Sequence, residues 1–206
     1  MALEIAMYSD FICPFCYIGF EVIRNLRSEF DIKLQWRGFQ IHPEWPAEGI
    51  ALDKVRSAVD LDARRAAWPR IAALAEAEGL EMKAPTLLAN SRAALLLAEF
   101  ANDQGCGEEF EARVYRAYFN DGANIGDPAL LARIAAEAGL DPAAVAEMMK
   151  SPHYETRLKD NALEADRRGI SGVPTFLIGE YPLVGAQPTP VMRLLLRRVT
   201  ERLGAR

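Results

Sequence analysis

Cysteine and histidine are scarce in this chain, with three of the first and two of the second among 206 residues. Three cysteines, an odd number, do not make the disulfide framework of a small secreted domain. Positive charge is not in excess either. Twenty-four Lys and Arg face 29 Asp and Glu, for a net charge of −5, which argues against the basic face of a nucleic-acid binder. The pairs Arg64-Arg65, Arg167-Arg168 and Arg197-Arg198 each stand in acid-rich, helix-like surroundings and read as solvated faces. Long apolar runs are missing too. The longest, AALLLAEFA from Ala93, falls far short of a bilayer span, so no membrane partner is expected. The opening MALEIAMYSDF has neither the basic start nor the extended apolar segment of a secretion signal. The protein is therefore expected in the cytosol, where thiols are held reduced and a persistent structural disulfide is disfavoured.

Half of the residues are apolar and only 9% aromatic, so a cooperative core is affordable and helix should dominate. LEIAMY (Leu3 to Tyr8) reads as a short buried strand. After it, Ile18, Val22, Ile23, Leu26 and Phe30 recur at helical spacing. DIKLQWRGF then alternates, with Ile32, Leu34 and Trp36 on one side and Lys33, Gln35 and Arg37 on the other, as a half-buried strand does. Strand, helix and strand make a parallel βαβ unit with a right-handed crossover. From HPEWPAEG onward the chain reads as helical for more than a hundred residues. Asp127-Pro128, Asp141-Pro142 and Ser151-Pro152 each place a capping side chain before a first-turn proline. Leu88, Leu95, Leu96 and Phe100 form one packing stripe, and Leu130, Leu131, Ile134 and Leu140 another. Strand texture returns at ISGVPTFLIG and YPLVG, a hairpin turning at Gly179-Glu180. A last helix from about Pro188 to Leu203 carries Val191, Leu194, Leu195 and Val199 on one side. The outline is βαβ, a helical block, then ββα: an α/β architecture with a four-stranded mixed sheet.

The chemistry concentrates in SDFICPFCYIGF. Cys13 and Cys16, three positions apart, could serve a metal, a staple or electron exchange. The metal reading lacks ligands, because Cys106, His42 and His153 form no second paired motif, and no metal is expected. For electron exchange the placement is favourable. Cys13 lies where the strand ends and the helix begins, where free N–H groups and the helix dipole stabilise a thiolate. Pro14 suits the first turn. Cys16 stands one turn on, on the same side, ready to attack a mixed disulfide formed at Cys13. Phe15 cannot donate a hydrogen bond to the thiolate as a histidine there could, so a less depressed thiol pKa and a less oxidising pair are expected. Pro174, after Gly172 and Val173, is open from the residues alone between a proline that starts a strand and a cis turn, which an X-Pro bond adopts at small cost. His42 reads as a turn residue before Pro43, His153 as surface and Cys106 as a bystander loop thiol. Tyr17 is open between substrate contact and core packing.

SDFICPFCYIG, WRGFQIHPEWP, IGDP, GISGVPTFLIG and VGAQP, in this order, resemble the DsbA-like thioredoxin family, in particular its FrnE-like cytosolic branch. That branch is related to 2-hydroxychromene-2-carboxylate isomerases and kappa-class glutathione transferases. The resemblance runs from Ser9 to about Pro188. It implies a thioredoxin-like fold, residues 1–45 plus 165–206, interrupted by a large all-helical insertion, residues 46–164. It also implies a cis Val173-Pro174 bond facing the cysteines, with the proline ring over the thiols. Such a turn would leave the Val173 backbone N–H and C=O free to pair with an extended substrate. Related chains often place an Asn and a His where Asn90 and Ser91 stand; the second departs, and neither is carried over. The activity implied is thiol–disulfide exchange on protein or low-molecular-weight disulfides. Cys13 and Cys16 would be catalytic, and Pro14, Phe15, Val173 and Pro174 would contact substrate. No cofactor is implied beyond the redox pair, with glutathione as a candidate co-substrate and a monomer or homodimer as the working unit. The alternative on the same fold is a glutathione-dependent isomerase or transferase, which has no use for a resolving cysteine.

Overall fold

The computed structural model describes residues 2–55, 58–179 and 181–204. Strand β1 (Leu3–Ser9) is followed by helix α1 (Pro14–Leu26) and strand β2 (Ile32–Gly38). Six helices come next: α2 (Ala58–Ala77), α3 (Arg92–Asp103), α4 (Gly107–Phe119), α5 (Pro128–Glu137), α6 (Pro142–Met148) and α7 (His153–Arg167). Two strands of two residues each, β3 (Ile50–Ala51) and β4 (Leu87–Leu88), flank α2 and pair antiparallel. The hairpin β5 (Thr175–Ile178) and β6 (Tyr181–Val184) and the helix α8 (Thr189–Gly204) close the chain. Glu180, one of the two residues expected at the hairpin turn, lies outside the described residues.

The main sheet has the order β2-β1-β5-β6. β1 runs parallel to β2, from Leu3 opposite Ile32 to Ser9 opposite Gly38, and antiparallel to β5. β2 and β6 are the edge strands, and β6 sets Pro182 opposite Leu177. This is a thioredoxin-like fold with a helical insertion between β2 and β5. Because alternate strand residues point to opposite faces, β1 feeds two cores. Leu3, Ile5 and Met7 enter a large cluster with Phe20, Ile23 and Leu26 of α1, whereas Tyr8 packs on the other face with Ala165, Ile170 and Leu177. Helices cover both faces as a result, and β1 is buried on each.

α1 approaches β5 closely because Gly19 faces it. A Cβ at that position would stand 2.8 Å from Phe176 Cζ and 3.6 Å from Pro174 Cγ. The missing side chain thus brings the cysteine turn against the Val173-Pro174 loop. β2 is held from its far end: the buried Glu99 of α3 accepts from the Gly38 N–H at 2.7 Å and from Asn161 Nδ2 at 2.7 Å. One carboxylate therefore joins β2, α3 and α7.

Several elements differ from the sequence reading. Leu88 belongs to β4 rather than to the stripe of Leu95, Leu96 and Phe100, because the chain is still extended before Ser91 opens α3. Ser151 caps from one position further out, accepting from the His153 N–H at 3.2 Å, while Asp127 and Asp141 cap their helices directly. On α8 the inward face is Met192 and Leu196, both fully buried; Val191 and Leu194 are exposed. An apolar arc wider than the contact leaves its edge residues in solvent.

Glu111 of α4 is also enclosed, and Asn102 Nδ2 donates to it at 2.9 Å. Burial pushes its carboxyl up to about 8, with Glu99 and Glu108 adding to the rise and Asn102 and Arg27 opposing it. The folded chain therefore keeps a proton that the unfolded chain, near the ordinary 4.5, releases. The corresponding stability is present at low pH and is lost as pH rises towards 8. Glu111→Gln keeps an acceptor for Asn102 and cannot ionise. Urea unfolding should show this variant gaining roughly 1–3 kcal/mol on wild type between pH 5 and pH 8.

Candidate active site

The turn between β1 and α1 places both cysteines. Cys13 has extended backbone angles (φ −90°, ψ 114°) and is the N-cap of α1, with Pro14 in the first turn. Its amide donates to the Asp10 carbonyl at 3.2 Å, and its own carbonyl accepts from the Cys16 and Tyr17 amides at 3.0 and 3.3 Å. A usual N-cap oxygen would consume the free amides of the first turn. Here no side chain caps them; the Cys16 amide bonds the Cys13 carbonyl, and it and the Phe15 amide both favour charge on the sulfur. Cys13 is 7% exposed and Cys16 fully buried; both are free thiols.

The two sulfurs are unequal. The hydrogen bond from Cys16 holds the Cys13 thiol below its ordinary value, helped by the Cys16 and Phe15 amides and opposed by burial and by Asp10. Burial pushes Cys16 well above its ordinary value, and its bond to Cys13 adds to that, so this sulfur keeps its proton. Across the cleft the Val173-Pro174 bond is cis, and Cys13 Sγ approaches the Val173 carbonyl oxygen at 3.6 Å. That carbonyl, expected to be free for an incoming strand, is turned to the thiol instead. Pro14 is half-buried at the edge of a neighbouring hollow. Phe15, also half-buried, leans on the main core.

Other sequence candidates fall elsewhere. Tyr17 is core: it stacks on Tyr115 and Phe119 with ring centroids 5.1 and 5.8 Å away. His42 stacks flat on Trp45 at 4.0 Å and pairs with Glu44. Asn90 links Gln40 and the Trp45 carbonyl, and Ser91 is buried at the start of α3. Cys106 is the half-exposed N-cap of α4 and His153 is exposed at the start of α7. Among the described residues no three His, Cys, Asp or Glu side chains cluster as metal ligands.

Three residues of the site carried no sequence signal of their own. Asp10, fully buried, accepts from the Ile12 amide at 3.3 Å and from the Ile41 amide at 2.8 Å, tying the cysteine turn to the segment after β2. Burial raises its carboxyl to about 6, against the pull of those amides. Ser9 Oγ and Tyr115 Oη share a 2.5 Å hydrogen bond beneath Cys16, and the Ser9 hydroxyl eases ionisation of that thiol. An acidic residue three positions before Cys13 was the one available hint.

Residues 4–197 match the DSBA-like thioredoxin domain. The uncharacterized protein YwbO of Bacillus subtilis (strain 168) is 31% identical over 193 residues, covering 90% of this chain and 92% of that protein. The probable DsbA oxidoreductase SCO1869 from Streptomyces coelicolor superposes with a TM-score of 0.84 at 25% identity, over 97% of this chain and 90% of that one. The cytosolic disulfide reductase DsbM from Pseudomonas aeruginosa, in a structure with GSH, shares the fold at a TM-score of 0.68 and 18% identity, over 95% of this chain and all of that one. No helix among the described residues is long and apolar enough to cross a membrane. The chain belongs to the DSBA-like thioredoxin domain family.

Proposed function

We propose that the protein is a dithiol–disulfide oxidoreductase in which Cys13 attacks and Cys16 resolves. The observation that carries this reading is the inequality of the pair: an N-cap thiol held low by donors, beside a buried thiol that keeps its proton. In the reducing direction the Cys13 thiolate attacks one sulfur of a disulfide. That S–S bond breaks, one thiolate leaves, and a mixed disulfide forms on Cys13. Cys16 then gives up its proton and attacks Cys13 Sγ, releasing the second thiol and closing the Cys13–Cys16 disulfide. Two electrons have passed to the substrate, and the reverse sequence oxidises a dithiol.

Pro14, Phe15, Val173 and Pro174 frame the substrate approach in this reading. The pair is its own redox group, with no further cofactor. Glutathione is the proposed thiol co-substrate, a choice supported by the DsbM structure with GSH, and the cytosol is the proposed compartment. An isomerase or transferase would activate glutathione without needing a second thiol, and the retained Cys16 favours exchange.

Equilibration in glutathione buffers, alkylation and mass measurement test the cycle. The reduced protein should lose two mass units as the buffer becomes oxidising, and a chain that never does so overturns the reading. Cys16→Ser should abolish disulfide reductase turnover and accumulate a mixed disulfide on Cys13. Unchanged activity of that variant on a glutathione-dependent isomerisation would favour the alternative. The pH profile of Cys13 alkylation supplies a further check. Cys16→Ala removes the main donor and should move the profile to higher pH. Asp10→Asn removes a negative charge that opposes the thiolate and should move it lower, by less than about one pH unit.

A further inference from the structure

Beside the cysteine turn lies a hollow of about 180 Å³ that exchange on proteins does not require. Ile12 and Pro14, on either side of Cys13 in the chain, line it. Trp45, Trp68 and Phe119 supply aromatic walls from three different parts of the chain. The charged side chains lining it are Arg64 and Arg65 of α2; no carboxylate does so among the described residues. Arg64 lies over Trp45, its guanidinium carbon 5.7 Å from the ring centroid, and both arginines are exposed at the rim. The solvated face read from the sequence therefore borders a cavity.

Size and lining restrict the occupant. A cavity on the order of 150 Å³ takes one benzene-sized ring. A peptide backbone laid in this lining would leave its amides without partners. An apolar ring suits the walls, and a negative charge at its edge suits Arg64 and Arg65, the second of which meets Asp62 at 3.7 Å on the solvent side of a lining that holds no carboxylate. We propose that the hollow seats the body of a low-molecular-weight disulfide built from a single compact ring bearing an anionic group, with its sulfur at Cys13 and its anion at Arg64 and Arg65. This rests on the exchange chemistry proposed above and names the substrate class. The Cys13 thiolate attacks one ring-bound sulfur and the S–S bond breaks. One aryl thiolate leaves, and the other half stays on Cys13 until Cys16 displaces it as the second thiol. The substrate gains the two electrons that the cysteine pair loses.

The test uses the full chain, pre-reduced, in a Cys106→Ser background, so that Cys13 and Cys16 are the thiols present. Four disulfides separate ring from charge in single-turnover rates. They are 5,5′-dithiobis(2-nitrobenzoate), 4,4′-dithiodipyridine, 3,3′-dithiodipropionate and hydroxyethyl disulfide. Trp68→Ala, and Ala67→Phe, which fills the hollow without removing packing, should slow the two aryl probes about tenfold and leave the two alkyl probes within about twofold. Arg64→Ala with Arg65→Ala should slow the aryl acid about tenfold and the neutral probes within about twofold. Equal effects on all four probes, or none, overturn the inference. Equal slowing of both acids by the arginine variant also overturns it, because charge would then act without the ring being seated. The hydroxyethyl disulfide rate reports whether each variant is folded and competent. Failure of wild-type Cys13 to form an adduct with any probe would instead remove the exchange reading itself.

Discussion

A helix that begins at a cysteine, with no oxygen to cap it, is the constraint on which the site depends. The first turn of α1 leaves the Phe15 and Cys16 amides close enough to favour charge on the Cys13 sulfur. The local backbone therefore favours the reactive form. The second sulfur contributes in the opposite sense. Cys16 stays protonated because it is enclosed, and its proton supports the charge next to it. Burial disfavours both thiolates; the uneven supply of donors makes the two differ.

Keeping this turn in place is shared among distant parts of the chain. Phe11 packs on Trp36 of β2 and on Tyr115 of α4 with ring centroids 5.0 and 4.9 Å away, so the residues just before Cys13 are gripped from both sides. Such ring pairs each contribute roughly 0.5–1.5 kcal/mol beyond their buried area. Asp10 adds a polar tie to Ile41, and Gly19 lets α1 settle against Phe176 and Pro174. The inserted helices are thus part of the site's support, since α4 supplies Tyr115 and Phe119 against Phe11 and Tyr17.

What the sequence disclosed follows the range of each interaction. Local signals were legible: the alternation of Ile32, Leu34 and Trp36, the Asp-Pro helix starts and the CPFC turn all depend on neighbours within a few residues. β3 and β4 escaped notice because two residues carry no period. Ser9 with Tyr115, 106 positions apart, and Gly38 with Glu99 are set by tertiary packing that no local pattern records. Glu111 resembled any helical surface acid until its neighbours enclosed it. The outward face of α8 was misjudged for a related reason: spacing shows where apolar residues lie on a helix, not how wide a surface it meets.

The proline in β6 bears on what this protein avoids. The open margin of a sheet invites a strand from another molecule, because its backbone donors and acceptors stand unused there. Pro182 brings no N–H to that margin, and its place opposite Leu177 leaves the ladder inside the sheet intact. A foreign strand docking along Tyr181 to Val184 would meet a missing rung at the second position. On this margin the sheet stops growing at β6, and chains crowded together in a cell are given no continuous rail along that strand.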